Sequence, residues 1–520
     1  MADLLPQKLT AAKTVTGPAH GIARPLIQSF ALYSSVNFGI RGLNFLLIVV
    51  YAHYLRPYDY GIIYMAEIIA AFLAIFAGLS MDGALQRLYF QHNHDSGELR
   101  SYLGSSILFG FFWMAVFLTF VLVLGGSVQS YLPAHASVPF YPYIAMAIAT
   151  AAATQGIQYR LAIDQASRRP GFYALLSFVL AVLTAACCLY GVVVRRAGAL
   201  GMMEGKLVAA VITFLIAAWS MRAFLAARFQ WRFVRESLGF GLPLIPHLVM
   251  ASGLIVADRF ILGYYRDLSE VGIYSLAYTF GMVMYLVTQS LSQAWLPMFF
   301  ELANEKENRQ LLGRICSGLA VLLVALACLG IQLSPPFIHI ALDYRYHSAA
   351  RIVPLVVMGY LFHALFSLFD LSILQAKRTV SVFLISLVAF AVNLVLNFAM
   401  IPRWGMYGAA WATTIAYGVE AVGAFLLAQS FFPLPYRMPG ILAALAVAGG
   451  ALWLTQLGGT PGWQGCLLVL STVPALGLLA LIGRRDLQSA FVALRRKNRA
   501  ASANLGEASA ARTDSIDGPL

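Results

Sequence analysis

The chain has 520 residues, 60% of them hydrophobic and only 11% charged, whereas soluble domains carry about 25% charged residues. Mean hydropathy is +0.76, and 35 basic against 22 acidic residues give a formal net charge of +13. These values exclude a soluble fold. The even spread of long apolar runs excludes collagen-like, coiled-coil and disordered chains, and an all-α polytopic membrane protein remains.

Residues 1–26 are mixed and polar and read as an N-terminal tail. The first apolar run, 27–53, is too long for a signal-peptide core and no small-residue cleavage site follows it, so it reads as a retained first span. Runs near the roughly 20 residues that a membrane helix needs follow at 60–80, 102–127, 138–158, 171–194 and 204–222. A second set lies at 239–263, 271–297, 313–333, 352–375, 379–400 and 406–431, and two more lie at 440–458 and 464–483. The spacing therefore predicts about 14 spans. They fall into an N-terminal six-helix lobe (27–225), an interfacial linker (226–238), a C-terminal six-helix lobe (239–431) and two additional helices (439–483). A cytoplasmic tail (484–520), basic and then rich in Ala, Ser, Asp and Gly, reads as disordered.

With the N-terminus inside, inside segments hold 25 Lys and Arg residues and outside loops hold 8. By the positive-inside rule both termini are cytoplasmic. This orientation accounts for the +13 charge, and no nucleic-acid partner is expected. Arg495, Arg496, Lys497 and Arg499 suit anionic lipid headgroups. The loops are too short to hold an extramembrane enzyme domain. The cysteines (Cys187, Cys188, Cys316, Cys328 and Cys466) lie in or beside apolar runs with no C-x-x-C pair and no histidine cluster. No metal and no cofactor is expected.

The chain also repeats itself. Gly61-Ile62 matches Gly272-Ile273 at an offset of 211, Gln165–Arg168 matches Gln375–Arg378 at 210, and Arg196, Gly198 and Gly201 match Arg403, Gly405 and Gly408 at 207. Six spans separate equivalent positions, so the two lobes share an orientation and are expected to be related by a pseudo-two-fold axis along the membrane normal.

Polar stripes interrupt the apolar spans. Ser34, Asn37, Arg41 and Asn44 follow 3, 4, 3 spacing, one helical face. Tyr360, His363, Ser367 and Asp370 repeat that spacing. Tyr278, Tyr285, Gln289 and Ser292 share one span, Thr413, Tyr417 and Glu420 another, and Asn393 and Asn397 are one turn apart. Such stripes either line a water-filled cavity or join helices by hydrogen bonds. Asp258 and Arg259 are adjacent, reading as an interfacial pair or as a cavity arginine with its carboxylate. Ionisable residues in the bilayer are costly and mark transport sites. Arg41 and Arg259 are therefore candidates for facing the cavity, and Glu67, Asp258, His363, Asp370 and Glu420 for ion or proton coupling. Gly78, Asp82 and Arg87 close the second span before a polar loop. Arg222–Glu236 interleaves Phe224, Phe229, Trp231 and Phe233 with arginines, as an amphipathic interfacial helix does.

Several of these motifs resemble a known family. Asp258-Arg259 with Ile261-Leu262-Gly263 and Glu270–Tyr278, then Asn393–Asn397, Ile401–Gly405 and Gly408–Thr413, with Tyr58–Gly61 at the start, are similar to signatures of O-antigen and exopolysaccharide flippases. These belong to the multidrug/oligosaccharidyl-lipid/polysaccharide exporter superfamily. The resemblance spans residues 27–431, and the two extra C-terminal spans depart from the twelve-span pattern. It implies translocation of undecaprenyl-diphosphate-linked oligosaccharide repeat units across the bacterial inner membrane by alternating access, with no enzymatic step. Implied partners are the polyprenyl-diphosphate-linked glycan, the polysaccharide polymerase and the chain-length machinery. Arg41 and Arg259 would meet the diphosphate, since a guanidinium binds phosphate oxygens bidentately. Ser34, Asn37, Asn44, Gln289, Asn393 and Asn397 would line the cavity. The alternative within the same fold is a cation-coupled multidrug exporter, which would use Glu67, Asp370 and Glu420.

Overall fold

Apolar runs with almost no lysine or glutamate leave the backbone amides only each other as partners in a bilayer, so the chain folds into helices. The computed structural model describes residues 39–92, 95–129, 138–225, 228–303 and 306–456, and every regular element among them is helical. Nine of these helices are long and apolar enough to cross a membrane.

Chain order runs α1 (39–54), α2 (Pro57–Gly78), α3 (Met81–His92), α4 (Ser96–Gln129), α5 (Ala145–Ala166), α6 (Pro170–Leu189), α7 (Gly198–Leu225) and α8 (Trp231–Gly241). It continues with α9 (Ile245–Tyr265), α10 (Leu268–Ala303), α11 (Arg309–Ala341), α12 (Ala349–Gln375), α13 (Thr379–Phe431) and α14 (Met438–Gln456). Each expected apolar run up to 440–458 corresponds to a described helix. The run 464–483, the tail 484–520, Cys466, Ser34 and Asn37 lie outside the described residues.

Two compact units form. One gathers the described residues of Met1–Tyr54, Ala66–Ser130 and Pro139–Ala251; the other gathers those of Leu55–Met65, Tyr131–Val138 and Ser252–Leu520.

Asp82 and Arg87, expected with Gly78 to close the second span before a polar loop, lie instead on a separate helix, α3. It follows a sharp break at Leu79 and Ser80, both with positive φ (48° and 54°). Its apolar side, Met81, Ala84, Leu85 and Leu88, is buried with Tyr102, Tyr159 and Phe233. The segment expected as an interfacial linker contributes α8, whose Phe233 and Val234 are buried in the same first unit. Ser237 Oγ there lies 3.0 Å from Ser106 Oγ.

The internal repeat is visible in the backbone. Gly198 and Gly405 both take positive φ, 58° and 56°, a conformation that glycine alone adopts cheaply. Gly405 breaks α13 into the two expected spans. The loops after α5 and α12 end alike. Arg168 and Lys377 take φ of 55° and 58°, and the next amides, of Arg169 and Arg378, close back onto Asp164 O and Ile373 O at 2.8 and 3.1 Å. Both are Schellman caps. They pair Arg168 with Lys377, an offset of 209, one residue away from the register that the sequence letters suggest. Two residues more separate Arg168 from Gly198 than Lys377 from Gly405, and a π-helical turn, Tyr190–Val194, lies in that interval.

The glycines of the first repeat match meet directly in the second unit. A Cβ on Gly61 would fall 1.8 Å from Leu268 O, and one on Gly272 would fall 2.0 Å from Pro57 O. Each glycine thus accepts the backbone four residues before the other, a reciprocal contact between equivalent segments.

Candidate functional site

The polar residues of the second unit converge on one cleft. α9, α10 and the two halves of α13 flank an open cleft of about 350 Å³, solvent at its mouth included, lined by Asp258, Tyr278, Ser386, Asn393, Thr413, Tyr417 and Glu420, with Ala389 and Ala416 completing the wall. Asp258, Asn393 and Glu420, expected from three separate spans, are here brought together.

Backbone chemistry sets the walls. Glu270, in the first turn of α10, accepts a hydrogen bond from Met406 N at 3.1 Å, and Arg266 Nη2 donates to Pro402 O at 3.0 Å. These side chains satisfy the amide and carbonyl that the break at Gly405 frees. The motifs Glu270–Tyr278 and Ile401–Gly405 are therefore two sides of one joint, which aims the second half of α13 and with it Thr413, Tyr417 and Glu420.

At one end of the cleft Asp258 is fully engaged. Its Oδ1 accepts from Arg259 N at 2.8 Å and from Arg259 Nη1 at 3.2 Å, and its Oδ2 accepts from the Tyr274 hydroxyl at 2.6 Å. Asp258 and Arg259 are buried, at 4% and 8% exposure. The Arg259 guanidinium lies over the rings of Tyr278 (4.3 Å) and Tyr274 (5.5 Å). This is a buried ion pair under aromatic faces, and a phosphate reaching Arg259 would have to compete with Asp258.

At the other end His363 Nδ1 lies 3.2 Å from Glu420 Oε2, and Ser386 Oγ donates to Glu420 Oε1 at 2.8 Å. Rings of Tyr285, Tyr417 and Phe366 surround His363 at 5.1–6.1 Å between centroids. Tyr360 packs against Tyr278 and Tyr285 at 5.5 and 5.6 Å. Between the ends runs a chain of amides: Asn397 Nδ2 donates to Asn393 Oδ1 at 2.8 Å, and Asn393 Nδ2 donates to Thr413 Oγ1 at 3.3 Å. Asp370, two turns from His363 on α12, has its buried Oδ1 without a hydrogen bond among the described residues. Gln289 is half-buried on α10.

The remaining expected residues lie in the first unit. Arg41 and Asn44 are exposed on α1. Glu67 is paired with Lys206, a neighbour that loop counting assigns to the far side of the membrane. Sequence reading did not find Ser386 and Tyr274 as partners of the two carboxylates. Ser386 lies two turns before the asparagine pair on α13 (386 and 393), which is the only sequence signal that could have marked it. Among the described residues no three His, Cys, Asp or Glu side chains are grouped to hold a metal ion.

Comparison with known proteins places this architecture. The model of the family described as "Polysaccharide biosynthesis protein" matches residues 26–303. A protein of the Lsg locus of Haemophilus influenzae is 21% identical over 281 residues, 51% of this chain and 63% of that protein. The chain thus spans under two thirds of that relative's length. Among solved structures, the Lipid II flippase MurJ in an inward closed conformation superposes with a TM-score of 0.68 at 16% identity, covering 88% of this chain and 99% of MurJ. An inward-facing multidrug resistance transporter of the MATE family and MOP superfamily gives 0.54 at 13% identity, covering 78% of this chain and 96% of its own. The Vibrio cholerae MATE transporter VcmN gives 0.53 at 15% identity, covering 78% and 97%. The fold is the one that these membrane proteins share.

Proposed function

The chain belongs to the polysaccharide biosynthesis protein family, and from that premise we propose that it is a flippase for undecaprenyl-diphosphate-linked oligosaccharide repeat units. It would act by alternating access in the bacterial inner membrane with both termini cytoplasmic, and supply surface polysaccharide synthesis. The observation that carries this reading is the joint between Glu270 and the break at Gly405, which ties together the family's motifs and sets a polar, tyrosine-walled cleft among apolar helices. Tyrosine faces and amide side chains suit sugar rings and hydroxyls, and a cleft of this kind suits a ligand with an apolar tail left in lipid. Arg41 and Arg259 are the proposed contacts to the diphosphate, with Arg41 the more available because Arg259 is held by Asp258. Partner proteins would be the polymerase and the chain-length machinery that consume the flipped unit.

The test is genetic and biochemical together. Cells lacking the protein should accumulate the lipid-linked intermediate and lose surface glycan, and Arg41→Ala should reproduce that state at matched protein level. Arg41→Lys should restore part of it, because an ammonium lacks the bidentate fork. Full export by the alanine variant would remove Arg41 from the site.

One observation favours a second reading, a cation-coupled multidrug exporter: the cleft that Glu420 lines is also walled by the rings of Tyr278 and Tyr417, and aromatic faces attract organic cations. Saturable binding of a cationic dye to the purified protein, abolished by Glu420→Gln, would support the exporter over the flippase.

A further inference from the structure

The amphipathic segment around α8 does not leave its apolar side free for the membrane. Phe233, Val234 and Ser237 are buried, and Phe233 belongs to the core that α3, α4 and α5 build in the first unit. What the segment turns outward is arginine and aromatic. Arg228 and Phe229 before the helix, and Trp231, Arg232 and Arg235 on it, are all exposed. The pairing recurs at the end of α7, where exposed Arg222 lies 4.1 Å over the exposed ring of Trp219. These charges are not balanced within the protein. Glu98 and Glu236, the acids that meet this face, both turn to His92, at 3.3 and 3.1 Å. Arg232 reaches Glu98 only at 3.7 Å, and among the described residues no ion pair holds Arg228 or Arg235.

The helix that α8 packs against sets its depth. Gly97–Ser127 of α4 is a membrane-long apolar stretch of 31 residues, about 46 Å at 1.5 Å per residue against a hydrocarbon core of about 30 Å. Its ends therefore stand in the headgroup layers, and α8 packs near one of them. Gln230 N donates to Ser105 Oγ at 2.9 Å, Ser237 Oγ lies 3.0 Å from Ser106 Oγ, and Trp231 lies edge-on to Phe109 at 5.8 Å between centroids. We infer that the outer face of this segment is a docking surface for the anionic phospholipid headgroups of the surrounding bilayer. Arg228, Arg232 and Arg235 bind the phosphodiester oxygens, which guanidinium donors match in pairs. Trp231 and Phe229 seat at the level just below, where amphipathic rings are favoured. Because the apolar side of α8 is spent inside the protein, the attraction is electrostatic and screened by salt, unlike that of a helix that inserts an apolar face. The site belongs to the first unit and serves either transport reading.

Native mass spectrometry of the full chain in a neutral detergent, with phosphatidylglycerol or phosphatidylcholine added and no glycan present, tests the surface. Wild type should hold phosphatidylglycerol more tightly than phosphatidylcholine, and high salt should release it. Each of Arg228→Gln, Arg232→Gln and Arg235→Gln should weaken the tightest phosphatidylglycerol site about fivefold, the weight of one basic residue near an anionic surface. The triple variant should lose that site, whereas Arg195→Gln, which removes an exposed arginine paired with Glu204, should leave it unchanged. Added phosphatidylglycerol should also raise the melting temperature of wild type and not that of the triple variant, since a ligand of the folded state stabilises it by mass action. Equal affinity for both lipids in wild type, a preference that salt does not touch, or a triple variant that keeps the wild-type preference would overturn the proposal. So would release of phosphatidylglycerol by pyrophosphate but not by sulfate of equal charge, which would assign the surface to a diphosphate-bearing lipid. If the triple variant does not fold, unchanged affinity in all three single variants would overturn it. Because no glycan enters the measurement, its failure and a failure of glycan export are distinguishable.

Discussion

The two halves of the chain share their backbone devices and differ in what they bury. Each has a glycine with positive φ before its sixth helix, Gly198 and Gly405, and each has the same cap before its fifth, at Arg168 and Lys377. The caps and the glycines fix which positions correspond. Counting back 209 residues, His363 corresponds to Thr154, Asp370 to Leu161, Asn393 to Thr184 and Asn397 to Cys188; past the glycines, at 207, Glu420 corresponds to Thr213. Where the second unit holds a histidine and a glutamate that need one another, the first holds threonines. Thr154 and Thr213 bond their own helix, donating to Thr150 O and Ala209 O at 2.8 Å. The depression among α2, α4 and α5 of the first unit is lined by Ala70, Leu73, Met114, Phe117 and Ile148 and is apolar. Its buried ion pair, Arg160–Asp164 at 2.9 Å, sits at the end of α5 rather than in mid-span. The repeat thus conserves the turns that aim the helices, while the polar interior chemistry stands in one copy.

This contrast yields predictions that would break it or sharpen it. The largest effect should come from the shared backbone. Gly272→Val would place a side chain 2.0 Å from Pro57 O, and Gly61→Val would place one 1.8 Å from Leu268 O. Neither partner is a flexible side chain, so both variants should lose most folded protein, measured as the monodisperse fraction after extraction. Normal yield from either would show that the reciprocal contact is not tight.

Next come the glycines of the helix breaks. Gly405→Ala should destabilise by about 1–3 kcal/mol through backbone strain, with more lost because the new methyl would lie 2.2 Å from Glu270 Oε2. Gly198→Ala should show the strain. Thermal melts in detergent compare them, and equal losses would argue that the Glu270 joint yields freely.

Smaller effects separate the interiors. Asn397→Ala removes the donor to Asn393 within α13 while the Asn393 bond to Thr413 stays, and should cost about 1 kcal/mol, the net worth of one hydrogen bond. At the corresponding position Cys188→Ala loses only a weak contact to Met202 O at 3.5 Å and should cost less. Thr213→Val, which keeps the shape, should scarcely change stability or export, whereas Glu420→Gln at the matching position should leave the fold intact and stop export. If Thr213→Val proved as harmful, the two halves would share the chemistry after all.

Much of the fold was legible because the signals are local. Runs of about 20 apolar residues predict membrane helices, and Gly405 between two such runs marks the break. α3 was not legible as a helix. Asp82 and Arg87 read as the close of the second span and the residues after them as a polar loop, and its helical side is recognisable only from burial against Tyr102, Tyr159 and Phe233. Stripe spacing picked out His363, Asp370 and Glu420, because a polar face on an apolar helix needs a reason. It could not assign partners. The bonds from Tyr274 to Asp258 and from Ser386 to Glu420 are made between turns or helices that spacing does not relate. The same limit applies to Glu67, whose Lys206 neighbour is 139 residues away. The letter match at Gln165 and Gln375 misplaced the repeat register by one residue because capping geometry, not identity, fixes the loop.

The central claim, that the chain moves lipid-linked glycan through a cavity whose polar chemistry lies in the second unit, is most directly tested by reconstitution. Purified protein in proteoliposomes would be given a fluorescent polyprenyl-diphosphate-linked oligosaccharide, and loss of the probe from the outer leaflet to a membrane-impermeant quencher would be followed. The account predicts transfer by wild type, none by Arg41→Ala or Glu420→Gln, and wild-type rates for Thr213→Val. No transfer by wild type, with transfer of a cationic dye in its place, would contradict it.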